Sequence, residues 1–436
     1  MNHLPITLGG NFIKLNLNIS LYIYLNMNDF NNDIIKYELI NSTENIIEEY
    51  VNNNIKDYHK YNFLDTLYSY VFANLKIQIG HLYDYDISAE LEKLINKCLN
   101  IYHQRICPKR QYTDISPKNP PNIDKISKKI DYILSKPQPE QKTDDWYNFR
   151  YNLITASNAF KAIGTDAKIN ELIVEKCKPI DLIPKSNGPS STDTAFHHGI
   201  KYEPLSVLYY EYKYNTIITD FGCIQHDIYD CLGASPDGIV TDKNSNLYGR
   251  MLEIKNPISR EITGIPKEEY WIQMQLQMEV CDLNYCDFLE TKFIQYDNEE
   301  DFNNDGSFNL TKDDKHKGVI LHFIKNNQHH YEYPPFNCNK EEFELWEENL
   351  MSNSTDMNWV ENIYWKLDII SCVLVLRNKP WFNAIIEYIT DIWEIVKTER
   401  ISGKWTERLP KTKIKQAKLP FKKEKKSECM IIEVDI

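Results

Sequence analysis

Ile13, Leu15, Leu17, Ile19, Leu21, Ile23 and Leu25 take every second position of IKLNLNISLYIYLN, with Lys, Asn, Ser or Tyr between them. A period of two predicts one long strand, or a hairpin, with a single buried face. Polar residues interrupt the run too often for a membrane span. From 43 to 104 the period changes. Ile46, Ile47, Tyr50 and Val51, then Leu64, Leu67, Tyr68, Val71 and Phe72, recur at spacings of three and four, and LEKLINKCLNIY repeats the pattern. This stretch predicts helices. Residues 1–105 read as an accessory domain in which no motif carries chemistry.

Prolines then punctuate the chain at SPKNPPN and SKPQPEQ, on either side of one short helix, KISKKIDYILS, so 106–136 reads as a linker. A second unit, 137–340, opens at DDWYNFRYNLITASNAF and runs through a helix into a polar loop, KSNGPSSTDTA. GIKYEPLSVLYYEYKYN predicts a helix starting close to Gly199, with Tyr202, Leu205, Leu208 and Tyr209 on one face. FGCIQHDIY, GASPDGIV and RMLEIKN read as strands, KEEYWIQMQLQMEVC as a helix, and YCDFLETKFIQY and GVILHFIKN as strands again. This order predicts an α+β (mixed α/β) core. DNEEDFNNDGSFNLTKDDKHK reads as a solvated acidic insertion. Residues 341–408 read as helices packed on the core, around EEFELWEENLM and NAIIEYITDIWEIVK. The lysine-rich tail 409–436 is either a solvated end or a phosphate-binding arm.

With 42% hydrophobic and 12% aromatic residues, the 436-residue chain can bury substantial cores. A formal net charge of −13 disfavours binding nucleic acid over the whole surface, though not through a local basic stripe. Ten cysteines without a CxxC pair or a zinc-spaced cluster fit reduced thiols in a cytosol-like compartment. No secretion signal is evident, so a cytoplasmic location is expected.

Chemistry enters between Gly233 and Pro257, GASPDGIVTDKNSNLYGRMLEIKNP. Residues two apart on a strand share a face, so Glu253 and Lys255 project together while the Ile254 carbonyl remains available. Asp237, on a Pro-Asp-Gly turn ending a neighbouring strand, can reach the same point. Two carboxylates and a carbonyl suit a hard divalent cation, Mg²⁺ or Mn²⁺, with water completing the shell. Such an ion acidifies water and stabilises charge on a phosphate, and the lysine orients or helps deprotonate that water. The plain alternative is a surface salt bridge beside a turn, since Glu-x-Lys alone is common.

Five blocks in order, EQKTDDWYNFRYNLITAS, GIKYE, GASPDG, LEIKNP and YWIQMQLQM, resemble the PD-(D/E)xK nuclease superfamily. Within it they resemble the phage lambda exonuclease and YqaJ-type viral recombinase nucleases. The resemblance implies a restriction-endonuclease-like core, a central mixed sheet flanked by helices. It further implies Mg²⁺-dependent hydrolysis of double-stranded DNA from 5′ ends, with Mn²⁺ able to substitute. Asp237, Glu253 and the Ile254 carbonyl fall on the metal ligands, Glu203 on an auxiliary acid and Lys255 on the catalytic lysine. Arg150 and Ser157 fall on contacts to a terminal 5′-phosphate or the scissile strand, and Ser235 on a further phosphate contact. The family's helical glutamine best matches Gln273, leaving Gln275 and Gln277 as candidate surface residues.

Ordinary readings stand beside these: an ion pair for Arg150, a helix cap for Ser157 and an exposed helical acid for Glu203. Arg260 is a DNA contact, or it pairs with Glu261 or another acid. His197 and His198 read as a solvent-facing loop pair, because a hard, oxygen-lined site does not need them. The rival functions are an endonuclease of defence or restriction type with the same centre, and a DNA-end-binding recombination partner without catalysis. The family is often ring-shaped, so a homo-oligomer is compatible with the sequence, as is a recombinase or helicase partner. The size and the Asn, Ile and Tyr bias resemble proteins of mimivirus-like giant DNA viruses, for which the location would be host cytoplasm or a viral factory.

Overall fold

A computed structural model describes residues 6–8, 11–13, 33–83, 85–141, 143–180, 194–354 and 356–409. The alternating run beyond Ile13, most of the polar loop KSNGPSSTDTA and the lysine-rich tail lie outside the described residues. Strands β1 (Ile6–Leu8) and β2 (Asn11–Ile13) pair antiparallel. Helices α1 (Asp33–Asn54), α2 (Phe63–Ile79) and α3 (Ser88–Arg105) pack on one another through Ile46, Ile47, Val51, Leu67, Val71, Leu91 and Ile95, the residues whose spacing predicted them. The short helix in the linker, α4 (Ile123–Ser135), starts where the Asn122 side chain accepts the Lys125 amide proton.

Along the rest of the chain run α5 (Asp144–Tyr151), β3 (Ile154–Thr155), α6 (Asp166–Cys177), α7 (Ala195–Tyr214), β4 (Ile218–Thr219), β5 (Ile224–Gln225), β6 (Leu232–Ala234), β7 (Gly238–Val240) and β8 (Met251–Lys255). They are followed by α8 (Glu268–Val280), β9 (Tyr285–Gln295), α9 (Glu299–Asn304), β10 (Lys317–Lys325), β11 (Gln328–Glu332), α10 (Lys340–Asn353), β12 (Asn358–Leu376) and α11 (Lys379–Ser402). Helix α7 begins a turn before Gly199, because the Thr194 hydroxyl caps it by accepting from the His197 amide.

A seven-stranded mixed sheet runs β11-β10-β12-β9-β8-β7-β4, with β8 and β9 parallel and its other pairs antiparallel. A small second sheet, β3-β6-β5, lies beside it. The expected α+β core with a mixed sheet is therefore the fold observed. One face of β8 and β9 buries Met251, Cys286 and Phe288 against Trp271, Met274 and Met278 of α8. The opposite face buries Leu252, Ile254 and Leu289 against Tyr202, Leu205, Tyr209 and Tyr210 of α7. The alternation of a strand buried on both sides thus sends Glu253 and Lys255 towards α8.

Two expectations need correction. The region after 340 is not purely helical, since the 19-residue β12 lies inside the sheet between β10 and β9. Ile363, Trp365 and Leu367 are buried at alternate positions, but a bulge between Leu367 and Ile369 shifts the parity and hides the period of two. The acidic insertion is also not merely solvated. Phe302 of α9 is fully buried, and the buried Lys317 ammonium donates to the Phe302 and Asp305 carbonyls (both 2.6 Å).

Candidate active site

The turn Ser235–Asp237 joins β6 to β7, and two glycines let neighbouring chain close around it. A Cβ on Gly233 would lie 2.7 Å from Leu153 Cδ1, and one on Gly238 would lie 2.3 Å from Ile218 Cγ2. Held there, Asp237 Oδ2 accepts the Ile254 amide proton (2.7 Å), which fixes the turn carboxylate to the middle of β8. Glu253, fully buried, forms an ion pair with Lys255 through Oε1. Its Oε2 accepts from Gln277 Nε2 (2.7 Å), which also lies 3.2 Å from the Ser235 carbonyl. The Lys255 ammonium rests over the Tyr270 ring, 5.1 Å from its centroid.

The glutamine that reaches the carboxylates is therefore Gln277. Gln273 lies one turn earlier on α8 and is half-buried. Neither of the other two glutamines is a surface residue. Gln277 is fully buried, and Gln275 clamps the start of α11 by donating to the Leu376 carbonyl (2.9 Å) and accepting from the Asn378 amide (2.6 Å). On a helix Gln275 must face away from the other two, while Gln273 and Gln277, four apart, share a face one turn from each other. The available signal was the seven-residue spacing of Tyr270 and Gln277, two turns on one face.

Charge is crowded here. Burial, and then the Glu253 carboxylate, push the Asp237 carboxyl well above its ordinary range, although part of its surface reaches solvent; Lys255 opposes the shift. Burial alone would lower the Lys255 ammonium, but Glu253 and Asp237 outweigh it and hold it raised. Glu203, on α7, keeps a solvent-accessible side chain among densely packed walls, and the accessibility is the better guide to how strongly its charge is screened. Its carboxyl is still raised, by desolvation first and then by Glu253 and Asp220, with Lys255 opposing. Asp220 is a neighbouring acid that no sequence motif announced.

Among the described residues no three His, Cys, Asp or Glu side chains are grouped so as to hold a metal alone. Mg²⁺ does not require that, since it binds through one or two carboxylates and keeps several waters. Asp237 and Glu253 supply such a pair beside the Ile254 carbonyl. Gln277 Oε1 is buried without a hydrogen-bond partner, as fits an acceptor for an ordered water. The residues present therefore fit a hard divalent ion.

Arg150, the last basic residue of α5, stacks on Trp146 (4.7 Å to the ring centroid). Among the described residues it pairs with no carboxylate. Arg150 and Ser235 both lie beside the buried Cys223 thiol, whose pKa burial raises while Arg150, Ser235 and Lys176 oppose the shift. Cys223 thus links two expected phosphate ligands, a role that no spacing revealed. Ser157 is exposed, lies 3.2 Å from the Thr155 hydroxyl and caps no helix, because the next turn starts from Asn158. Arg260 pairs with the buried Glu290 (2.5 Å), which stands opposite Lys255 in the β8–β9 register. The Glu261 carbonyl is a longer contact, at 3.3 Å.

The two histidines are not a solvent-facing pair. His197 is buried, hydrogen-bonds the Tyr331 hydroxyl and stacks edge-on against His329. His198 is partly buried, packs on Tyr202, and burial lowers its pKa to about 4.

Residues 145–284 match the family model of the YqaJ-like viral recombinase domain, a span that takes in Arg150, Ser157, Glu203, Asp237, Glu253, Lys255 and Gln277. An uncharacterized protein of Acanthamoeba polyphaga mimivirus is 30% identical over 306 residues, which are 62% of this chain and 54% of that protein. The chain thus spans about half the length of the curated relative it matches. Similar solved structures include the alkaline exonuclease of Laribacter hongkongensis, alone and in complex with dAMP. Identity is 18% and 20%, and the TM-scores are 0.35 and 0.34. Each match covers 60% of this chain and 96% of the other. No helix among the described residues is long and apolar enough to cross a membrane.

Proposed function

We propose that the protein, whose residues 145–284 match the family model of the YqaJ-like viral recombinase domain, is a divalent-metal-dependent nuclease that degrades double-stranded DNA from 5′ ends. The observation that carries this reading is the meeting of Asp237 and Glu253 with Lys255 at one end of β8, backed by Gln277. A Mg²⁺ or Mn²⁺ ion held by Asp237, Glu253 and the Ile254 carbonyl, with Glu203 beside them, would supply Lewis acidity to a phosphoryl oxygen and acidify water.

The chain's own residues do the remaining work. Gln277 fixes the Glu253 carboxylate through Oε2, leaving Oε1 to face Lys255. Held raised against burial by Glu253 and Asp237, Lys255 stays protonated, so it acts as a donor that orients the attacking water and faces the charge growing on the phosphate. It can accept a proton only once those carboxylates are neutralised by another cation. Arg150 offers a planar fork, and Ser157 and Ser235 offer hydroxyls, for the phosphate of the strand end.

The test uses labelled linear duplex beside closed circular DNA, with Mg²⁺. Loss of the linear form alone supports the reading, nicking of circles points to an endonuclease, and cutting of neither refutes catalysis. Lys255→Ala should lower the cleavage rate by about 10²–10⁴-fold without loss of fold, as for a positioned acid–base group.

A further inference from the structure

Two cavities of about 790 and 310 Å³ lie where α3, the linker, the start of β9 and the start of α11 come together. They share His103, Gln104, Asn284, Tyr285 and Leu376 as a common wall, and so make one continuous groove. It sits at the far end of the sheet from the candidate active site. Strands β8 and β9 are parallel; Arg250 and Tyr285 border the groove at their starts, while Lys255 and Glu290 stand at register partners further along. Five residues of strand put roughly 16 Å between the two places.

The groove has fixed walls. Tyr112 of the linker exchanges backbone hydrogen bonds with Leu374 of β12 (2.8 and 2.9 Å), and the buried Arg250 guanidinium donates to the Ile115 carbonyl (2.6 Å). Ser127 on α4 hydrogen-bonds the Tyr248 hydroxyl (2.9 Å).

Its charge opposes that of the chain, which carries 63 acidic and 50 basic side chains. Among the described residues the larger cavity is lined by five Lys or Arg and two Asp, and the smaller by three Lys or Arg and no acid. Both aspartates are already engaged. Asp282 pairs with Lys129 (2.7 Å) and Arg377 (2.6 Å), and Asp114 accepts the Ser116 amide proton (2.9 Å). Arg105, Lys109, Lys118, Lys125 and Lys379 form no ion pair among the described residues.

Such a stripe attracts a polyanion. The rest of the lining decides which one. Tyr285 is 48% exposed and Tyr112 half-buried, and the amides of Asn100, Gln104, Asn119 and Asn284 line the same groove. Rings stack on bases and amides hydrogen-bond base edges, whereas an acidic peptide would call on the cations alone. The volume lies in the range that encloses a small molecule, so it admits a few nucleotides of single strand and not a duplex.

We propose that this groove is a second nucleic-acid site, which binds single-stranded DNA apart from Asp237, Glu253 and Lys255. Most of its lining lies outside the family-matched span 145–284, in α3, the linker, α4 and the C-terminal elements. It needs no catalysis, and so it stands independently of the function proposed above.

The test measures the fluorescence anisotropy of a labelled oligothymidylate with the full chain in EDTA, over a range of salt. The full chain should bind it, with an affinity that falls steeply as salt rises. Lys118→Gln/Lys125→Gln should weaken binding and reduce the slope of log Kd against log salt by about 1.4, as for two lost phosphate contacts on a single strand. Tyr285→Ala should weaken binding about fivefold or more and leave the slope unchanged, as for a lost stacking partner. All three side chains are exposed, so both variants should fold. Lys255→Ala should bind as the full chain does, which separates this site from the candidate active site. Unchanged affinity and slope in both groove variants would overturn the inference. So would polyglutamate that displaces the oligonucleotide equally well at equal charge, which would mark the groove as a site for acidic protein segments.

Discussion

Gln277 ties Glu253 to the Ser235 carbonyl, so one amide links β8 to the turn between β6 and β7. Removing a partner that orients a ligand typically costs 10–100-fold in activity. Gln277→Leu should therefore lose about that much, whereas Gln273→Leu should change the rate by only a few-fold. Equal losses in the two variants would mean that the site is not organised as the hydrogen bonds indicate. Lys176, buried near the end of α6 with the Arg150 carbonyl as its acceptor, carries a different signature. Its folded pKa of about 8 lies below the ordinary 10.5, so the folded protein binds fewer protons between those values and this group's contribution to stability rises with pH across the window. Below pH 8 the full cost of the buried cation, on the order of 3 kcal/mol, is present. Lys176→Met should thus be more stable than the parent at pH 7, by about 1–3 kcal/mol in denaturant titrations, with the gap closing towards pH 10. An equally stable variant at pH 7 would count against an uncompensated charge. Asp237, Glu253 and Lys255 were legible in the sequence because a strand has a strict period and a Pro-Asp-Gly turn marks its own place. Lys176 and Cys223 were not, because their roles depend on which chain segments pack behind Arg150.

Strand β8 is held from both faces, and the α7 side shows how. Arg250, just before β8, donates to the buried Asp287 of β9 (3.1 Å), which also accepts from Tyr210 of α7 (2.7 Å). This triad fixes the helix that carries Glu203 to β9 and to the start of β8, which carries Glu253. Removing one member of a buried pair leaves the other uncompensated, at a cost of about 3–5 kcal/mol. Arg250→Met should show a loss of that size in thermal or denaturant unfolding; a loss under 1 kcal/mol would mean that Asp287 is neutral in the folded protein. Periodicity located α2, α3, α7, α8 and α11, and most strands of the central sheet. It missed β12, whose parity reverses at a bulge, and it placed the start of α7 late because the Thr194 cap sits beside a polar loop rather than an apolar stripe.

Across the whole molecule, the helices before residue 105 share a continuous core with the α+β unit that follows. Tyr58 packs near Trp271 (6.2 Å between rings), Trp271 meets Trp381 edge-on (4.9 Å), and the Trp381 indole donates to the Lys56 carbonyl (3.3 Å). Arg110 joins the His59 carbonyl (3.0 Å) to the Pro266 carbonyl (2.6 Å), so the linker also braces the loop after the catalytic strand. Deleting residues 1–105 would expose Trp271 and Trp381, each worth roughly 1.5–3 kcal/mol when buried. The shortened protein should show red-shifted tryptophan emission and a lower Tm. An unchanged Tm would mean that the two parts fold independently.

The central position of β12 also bears on when the candidate site comes into being. Asp237, Glu253 and Lys255 are translated well before the strand that completes their sheet. Until residue 376 has left the ribosome, β9 has no partner on its outer side. At roughly 5–20 residues per second, the interval between the end of the family-matched segment and the end of β12 is on the order of 5–20 s. During that time the nascent chain exposes an eleven-residue edge strand, which invites mispairing and withholds a finished active site. A site built this way is assembled early and completed only late in the synthesis of its own chain.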